Sequence, residues 1–493
     1  MNKKINLLNH NSDQDDIRQL TPKTPFKIKR TKLFLYTLVF IVVSLFLFSF
    51  NNKQTEQTTW VDHIPIVGQI KHLVESADNE LKGEDEGTIN ILLLGMGGKN
   101  HQGGYLTDTI ILATLNVEEK KVALLSVPRD LSIPVENMGW KKINSINAFA
   151  EAQKKDSGGL AISQAISEVT NIPIDYYVRV DFAGFVKIVN EIGGIDVDVE
   201  YTIDDSMYPI MGNEEAPWEE RFEHLYIEKG SQEMDGELAL KYARSRHSIG
   251  IEGSDFGRAK RQQKILQSIK EKVISRHIIF KPTMAANIIK DVEEHFSTNL
   301  KLWEIIKLWN IFKDINNENI ISKTLNDAPN GLLNSMITEE GAYILVPRGG
   351  DFSEIEYLIN NFFEEAPAQS KTKIAEEEAT LEVRNGTWVN GLASKIGLDL
   401  AMYGYDVIRI GNCSRQNFEK TVIYDLTYGE KIDSLSILKE KLNANISLGL
   451  PQWLMDDLTK ELNEEQNPIQ PDFIIILGQN ADETQSGAIN LEL

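Results

Sequence analysis

Residues 33–50 read LFLYTLVFIVVSLFLFSF, eighteen positions without a charge. Roughly 20 apolar residues span the hydrocarbon core of a bilayer, so this run is just long enough to cross one. Lys23, Lys27, Lys29, Arg30 and Lys32 stand before it, and only Lys53 follows closely. Basic residues stay on the cytoplasmic side. The pattern predicts a cytoplasmic tail over 1–32, a single-pass transmembrane anchor over 33–50, and a chain that folds outside the cell membrane from there on. A secretory signal peptide would have a shorter apolar core and a small-residue cleavage site. Ser49-Phe50-Asn51-Asn52-Lys53 offers no such site. A buried core helix would alternate apolar with polar positions, and this run does not.

The rest of the chain has globular composition, and 493 residues leave room for about two to four domains. The formal net charge of −22 argues against a nucleic-acid partner, which would show itself as a basic stripe. One cysteine, Cys413, excludes an intramolecular disulfide and any CxxC site. It reads as a small packed residue beside Asn412. Residues 51–87 form a polar stalk ending in Lys82-Gly83-Glu84-Asp85-Glu86-Gly87. Short apolar runs bounded by turn residues then predict buried strands at Ile89–Gly95, Thr109–Leu115 and Lys121–Val127. Helical spacing follows at Ile143–Lys155, Leu160–Thr170, Phe182–Ile192, Gly236–Ser245 and Asp255–Ile274. This is the pattern of an α/β sandwich over 88–275. Residues 276–365 read as its extension and 366–378 as a polar linker. A smaller α/β domain spans 379–481, from Leu381–Arg384 through a helix near Gly391–Tyr403 and a strand at Asp406–Ile410 to Asp472–Gly478. Residues 482–493 are a tail.

The eight histidines are scattered, and HExxH, GxSxG and GxxxxGK[ST] are all absent. Clusters of basic residues stand out instead: Ser126-Val127-Pro128-Arg129-Asp130, Lys141-Lys142-Ile143-Asn144, Tyr242-Ala243-Arg244-Ser245-Arg246-His247 and Gly253-Ser254-Asp255-Phe256-Gly257-Arg258-Ala259-Lys260-Arg261-Gln262-Gln263. Ser254 or Asp255 is a suitable helix cap, which puts Arg258 and Gln262 on one face. Arg244 and Arg246, two apart in extended chain, point the same way. Arginine forks suit phosphate oxygens. The rival reading pairs these arginines with surface carboxylates. The loop Gly95–Gly104 has glycines enough to bring backbone N–H groups to an anion, or to be a plain turn. Asp108 opens a strand as a hard-oxygen candidate for magnesium, or as a turn residue. Tyr176, Tyr177, Val178, Val180, Phe182 and Phe185 are candidates to line an apolar pocket, against ordinary core.

Eight ordered blocks carry a resemblance. They are NILLLG (90–95), TDTIIL (107–112), LLSVPRDL (124–131), KKINSINAF (141–149), IPIDYYVRVDFAGF (172–185), EIGGIDVDV (191–199), MDGELALKYARSRHS (234–248) and GSDFGRAKRQQ (253–263). In this order they resemble the LytR-CpsA-Psr (LCP) family of cell-envelope proteins. LEVRNGTWVNGLA (381–393) and YDVIRIGN (405–412) look like the small LytR-type C-terminal domain appended to such proteins. The resemblance implies an αβα sandwich with an apolar cavity for a polyprenyl chain and a mouth for its pyrophosphate. It implies pyrophosphate binding by Arg129, Arg244, Arg246, Arg258 and Gln262, with Lys142 near the acceptor. It implies magnesium on Asp108. Two positions depart from the family pattern: Gly97 stands where the first metal aspartate is usual, and Leu106 where an arginine is frequent. Lys99, His101 or backbone N–H groups are the candidates to compensate.

The function implied is that of a phosphotransferase. It moves a glycan phosphate from a polyprenyl-pyrophosphate carrier to peptidoglycan or another envelope acceptor, with pyrophosphatase activity on the side. Arg129, Asp108 and Asp130 are the expected catalytic residues. The alternatives are a lipid-linked glycan binder without turnover, which Gly97 favours, and the transcriptional attenuator of the older family names. Residues 1–32 are too short and polar for a helix-turn-helix, so direct DNA binding is not expected.

Overall fold

The computed structural model describes residues 80–481, apart from 100, 137, 214, 276–292, 365–366 and 465–468. The expected tail 1–32, anchor 33–50, most of the stalk 51–87, and the tail 482–493 lie outside the described residues. Among the described residues no helix is long and apolar enough to cross a membrane.

The larger domain opens with an antiparallel meander of β1 (Thr88–Met96), β2 (Thr107–Asn116) and β3 (Lys121–Ser126). A short hairpin, β4 (Ser132–Val135) and β5 (Gly139–Lys142), leads into α1 (Asn144–Gln153) and α2 (Gly158–Thr170). β6 (Tyr176–Asp181) returns parallel to β1, and Asp181 caps α3 (Phe182–Glu191) by accepting from the Gly184 amide. β7 (Ile195–Val199), β8 (Ile203–Pro209), β9 (Phe222–Ile227) and β10 (Gly230–Met234) form two ribbons, followed by α4 (Gly236–Arg244) and the long α5 (Asp255–Ser275).

Residues beyond 275 complete the same sheet. β11 (Phe296–Thr298) pairs with β6 on one edge; α6 (Leu302–Phe312) follows, and β12 (Ile320–Thr324) pairs with β3 on the other edge. The strand order is β11-β6-β1-β2-β3-β12. Alternation along β1 divides its side chains between two faces. Leu92 and Leu94 pack with Ile146, Ile162 and Ile166 of α1 and α2. Ile91 and Leu93 face Leu266 of α5 and Leu308 of α6. Helices therefore cover both faces. The hairpin β13 (Leu333–Ile337) and β14 (Tyr343–Pro347) and the helix α7 (Ser353–Asn360) close the domain.

The expected linker 366–378 is a correction. Ala368–Glu377 is a helix, α8, whose Ile374 is buried in the smaller domain's core. Its Glu377 carboxylate accepts from the Asp433 and Ser434 amides, at the start of the helix Ile432–Lys441. One buried isoleucine and one helix-end anion dock a segment whose composition reads as linker. The smaller domain continues with β15 (Thr380–Asn385), α9 (Leu392–Tyr403), β16 (Asp406–Asn412), β17 (Val422–Asp425), α10 (Ile432–Lys441), β18 (Asn445–Ser447), α11 (Gln452–Glu464) and β19 (Phe473–Leu477). Its strand order is β16-β15-β19-β17-β18, and Phe473–Leu477 is buried throughout. Cys413 is buried beside Leu454 and Ile476.

Candidate active site

The first two basic clusters meet where β2 begins and β3 ends. Arg129 lies three residues beyond β3, on a turn fixed by backbone bonds: Val127 N–H to Ile110 at 2.9 Å and Leu131 N–H to Pro128 at 3.0 Å. Its Nη1 donates to Asp108 Oδ1 at 2.9 Å, and its Nε lies 3.5 Å from Asp130 Oδ2. Lys142, at the end of β5, donates to Asp130 Oδ1 at 2.6 Å. The result is an alternating row of four charges, Asp108, Arg129, Asp130 and Lys142. Asp108 is the most open of them, with its side chain 37% exposed.

Gln262 on α5 ties this row to the second arginine group. Its Nε2 donates to Thr109 Oγ1 at 2.9 Å, one residue from Asp108, and lies 3.5 Å from the Ala243 carbonyl, one residue from Arg244. Arg244 donates to the Tyr208 hydroxyl at 3.1 Å, and its guanidinium lies 4.4 Å from the centre of the Phe182 ring. Ser254 caps α5 by accepting from the Gly257 amide at 3.0 Å. Arg258, one turn before Gln262, is nine-tenths buried.

Residues that sequence reasoning did not single out hold the arginines in place. Asp205, fully buried on β8, accepts from Ser245 Oγ at 2.7 Å and from the Arg246 and His247 amides at 3.1 Å. Burial pushes its carboxyl up, but the Ser245 hydroxyl and the His247, Met207 and Arg246 amides outweigh burial and hold it below the usual carboxylate range. Arg261, quoted within the fourth cluster, does not face the site. It is buried against the Tyr242 carbonyl at 2.9 Å, the Ser245 carbonyl and the Glu252 carboxylate. Behind the loop 97–106, buried Arg179 bonds Asn147 at 2.8 Å and Glu151, while Asn147 bonds the Tyr105 carbonyl at 2.7 Å. Asn147, Arg179 and Arg261 lie within quoted blocks, but nothing in those blocks marks them as bracing groups, and Asp205 and Glu252 lie in none.

The Gly97 departure has a steric account. A Cβ on Gly97 would lie 2.8 Å from His101 Cγ. His101 stacks edge-on to Phe182, with centroids 5.5 Å apart. Gly98 has φ +92°, and a Cβ there would meet Asp181 Oδ2 at 2.8 Å. The loop thus folds onto His101 and Asp181, and Asp181 itself pairs with His295 Nδ1 at 2.9 Å. Among the described residues no cluster of three His, Cys, Asp or Glu side chains forms a metal cage.

A cavity of about 650 Å³ opens between the sheet and helices α5 and α6. Ile91, Leu93, Leu115, Leu266, Leu308 and Phe312 give it an apolar wall. Gln263 lines it too and bonds Ser126, three residues before Arg129, at 3.1 Å. Of the six residues expected to line a pocket, only Val178 does so. Tyr176 is buried, and its hydroxyl donates to Glu304 at 3.3 Å; Tyr177 lies in the core on the opposite face. Phe185 packs among the ribbons, and Phe182 carries Arg244. Of β6, Val178 lines the cavity and the aromatic residues do not.

The family model for LytR-CpsA-Psr proteins matches residues 49–360. The chain belongs to the LytR-CpsA-Psr family. A second model, described as LytR cell envelope-related transcriptional attenuator, matches residues 378–480. The chain is 31% identical over 245 residues to the polyisoprenyl-teichoic acid–peptidoglycan teichoic acid transferase TagV of Bacillus subtilis, covering 49% of this chain and 57% of that protein. It is 29% identical over 226 residues to the transferase TagU of Enterococcus faecalis, covering 45% of this chain and 64% of that one. It spans less than two thirds of either relative's length. The crystal structure of B. subtilis TagV superposes with a TM-score of 0.41 at 24% identity, over 57% of this chain and 98% of that one.

Proposed function

We propose that this LytR-CpsA-Psr protein is a phosphotransferase. In this reading it moves a glycan phosphate from a polyprenyl-pyrophosphate carrier onto peptidoglycan or another envelope acceptor. The observation that carries the reading is the row Asp108–Arg129–Asp130–Lys142 beside an apolar cavity, with Gln262 bonding Thr109 next to Asp108 and the Ala243 carbonyl next to Arg244. An apolar wall next to concentrated cations suits a lipid whose head is a diphosphate. The run 33–50 would anchor the chain in the cell membrane, with the site on the outer side where the carrier and the wall meet. The names of TagV and TagU support teichoic-acid-like polymers as the glycan class.

Arg129, Arg244, Arg246 and Arg258, with Lys142 and Gln262, bind and neutralise the diphosphate, so that charge developing on the leaving phosphate is already compensated. A wall-sugar hydroxyl attacks the phosphorus nearer the glycan. The bond between that phosphorus and the bridging oxygen breaks, and lipid monophosphate departs. Asp108 or Asp130, each already paired with a cation, takes the hydroxyl proton. Water in place of the sugar gives the pyrophosphatase side reaction. Asp108 is the residue that would hold magnesium. One half-exposed carboxylate with diphosphate oxygens is a hard-oxygen set of the kind Mg²⁺ takes, and when bound the ion adds neutralising charge.

A glycan binder without turnover is the second reading. It draws on His101, which fills the place where a side chain at position 97 would stand. Transfer by the purified chain, from a polyprenyl-pyrophosphate sugar to wall fragments, tests both. Magnesium-dependent transfer that falls about 10²- to 10³-fold in Arg129→Ala is the expected result. Carrier bound tightly and never turned over would leave only the binder.

A further inference from the structure

β15, β16 and β19 run parallel, so their carboxyl ends meet at one end of the smaller domain's sheet. Loops at that end of an α/β sheet are where ligands gather. Here the loops after the three strands are stitched together. Cys413 N–H donates to the Asn385 carbonyl at 2.9 Å, Phe418 N–H to Gly386 at 3.0 Å, and Gln479 N–H to Phe418 at 2.8 Å. Gly386 is needed where it stands, because a Cβ would lie 2.6 Å from the Leu477 carbonyl. Buried Asn385 accepts from the Thr387 amide at 2.9 Å and hydroxyl at 2.8 Å, and donates to the Val389 carbonyl at 2.7 Å.

This rigid base presents Trp388, which is 77% exposed. Its indole N–H donates to Asn417 Oδ1 at 2.8 Å. With its only polar atom bonded, the side chain offers solvent an apolar ring in a fixed orientation. Asn390, Asn412 and Asn417, at or after the ends of β15 and β16, are exposed amides. The Gln416 side-chain oxygen, on the same loop, is shielded and has no hydrogen-bond partner among the described residues. Arg415, on the same loop as Glu419 and Lys420, lies 5.4 Å over the Trp453 ring.

We propose that this end of the smaller domain binds an uncharged pyranose chain. A pyranose has an apolar C–H face, which stacks on the Trp388 ring, and a rim of hydroxyls, which pair with the asparagine amides. The inference does not rest on the transfer reaction, because binding is read without turnover.

Calorimetric titration of the full-length chain with tetra-N-acetylchitotetraose and with cellotetraose tests it. Binding of either sugar by the wild type is expected, weakened at least tenfold by Trp388→Ala. Tyr428→Ala serves as the control: Tyr428 is 85% exposed and follows β17, which runs antiparallel to β19, so it lies at the other end of the sheet. That variant is expected to bind as the wild type does. No binding of either sugar, equal binding by Trp388→Ala, or equal loss in Tyr428→Ala overturns the proposal, as does affinity for a free wall peptide without affinity for the sugars.

Discussion

Arg261 shows how one residue of a basic cluster can belong to the fold and not to the ligand. It sits among carbonyls and the Glu252 carboxylate, and so fixes Ser245, the residue between Arg244 and Arg246. Arg261→Met leaves the Glu252 charge buried and unpaired, which costs about 3–5 kcal/mol. Urea unfolding is expected to show that loss, whereas a phosphate-contacting arginine would lose activity and keep its stability. Asp205 acts on the same turn. Its carboxyl is held below the usual range, so its contribution to stability is complete above the ordinary carboxylate pKa and is lost as pH falls through the lowered value. Asp205→Asn is expected to be less stable at neutral pH and to lose less on acidification than the wild type. Thermal melts across the acid range read both effects.

At the scale of the element, the loop after β1 decides what position 97 can be. Its backbone folds back through a Gly98 N–H to Gly104 bond at 2.8 Å, and His101 occupies the space beside Gly97. Gly97→Asp alone is expected to destabilise the protein by about 1–3 kcal/mol, the usual range for overpacking. Adding His101→Ala is expected to recover most of that loss, as a double-mutant cycle of melting curves would show. Additive losses would mean that His101 is not the obstacle. Helix α8 carries the complementary lesson. Its charged surface reads as a linker, yet Ile374 and Glu377 dock it.

The whole molecule joins two domains through the larger one's extension. Arg348, just after β14, donates to the Pro329 and Ala328 carbonyls at 2.7 Å and to the Ile410 carbonyl of the smaller domain at 3.3 Å. Asn330 donates to the Val407 carbonyl at 2.8 Å, and the Tyr357 hydroxyl to Asp399 at 2.6 Å. Arg348→Ala removes the group that bridges both sides. Calorimetry is expected to show the smaller domain melting at lower temperature as a separate transition. A wild-type profile in that variant would mean the interface is held without Arg348.

Sequence by itself determined the elements and the main charged groups. Apolar runs bounded by turn residues became β1, β2 and β3, 3.6-residue spacing became α1 to α5, and the groups at 129–130 and 142 came together, with Gln262 beside them. Local patterns report those features, because strand and helix periods and caps are properties of neighbouring residues. Tertiary structure decided what depends on long-range contact. It set which face of β6 meets the cavity, which arginine of the fourth cluster is buried, how Asp205 and Arg179 brace the site, and that 368–377 docks as a helix. Arg261 finds its partners 9 to 19 positions away, Arg179 28 to 32, Asp205 on the 245–247 turn 40 to 42, and Glu377 56 to 57, so no single local window of sequence contains them.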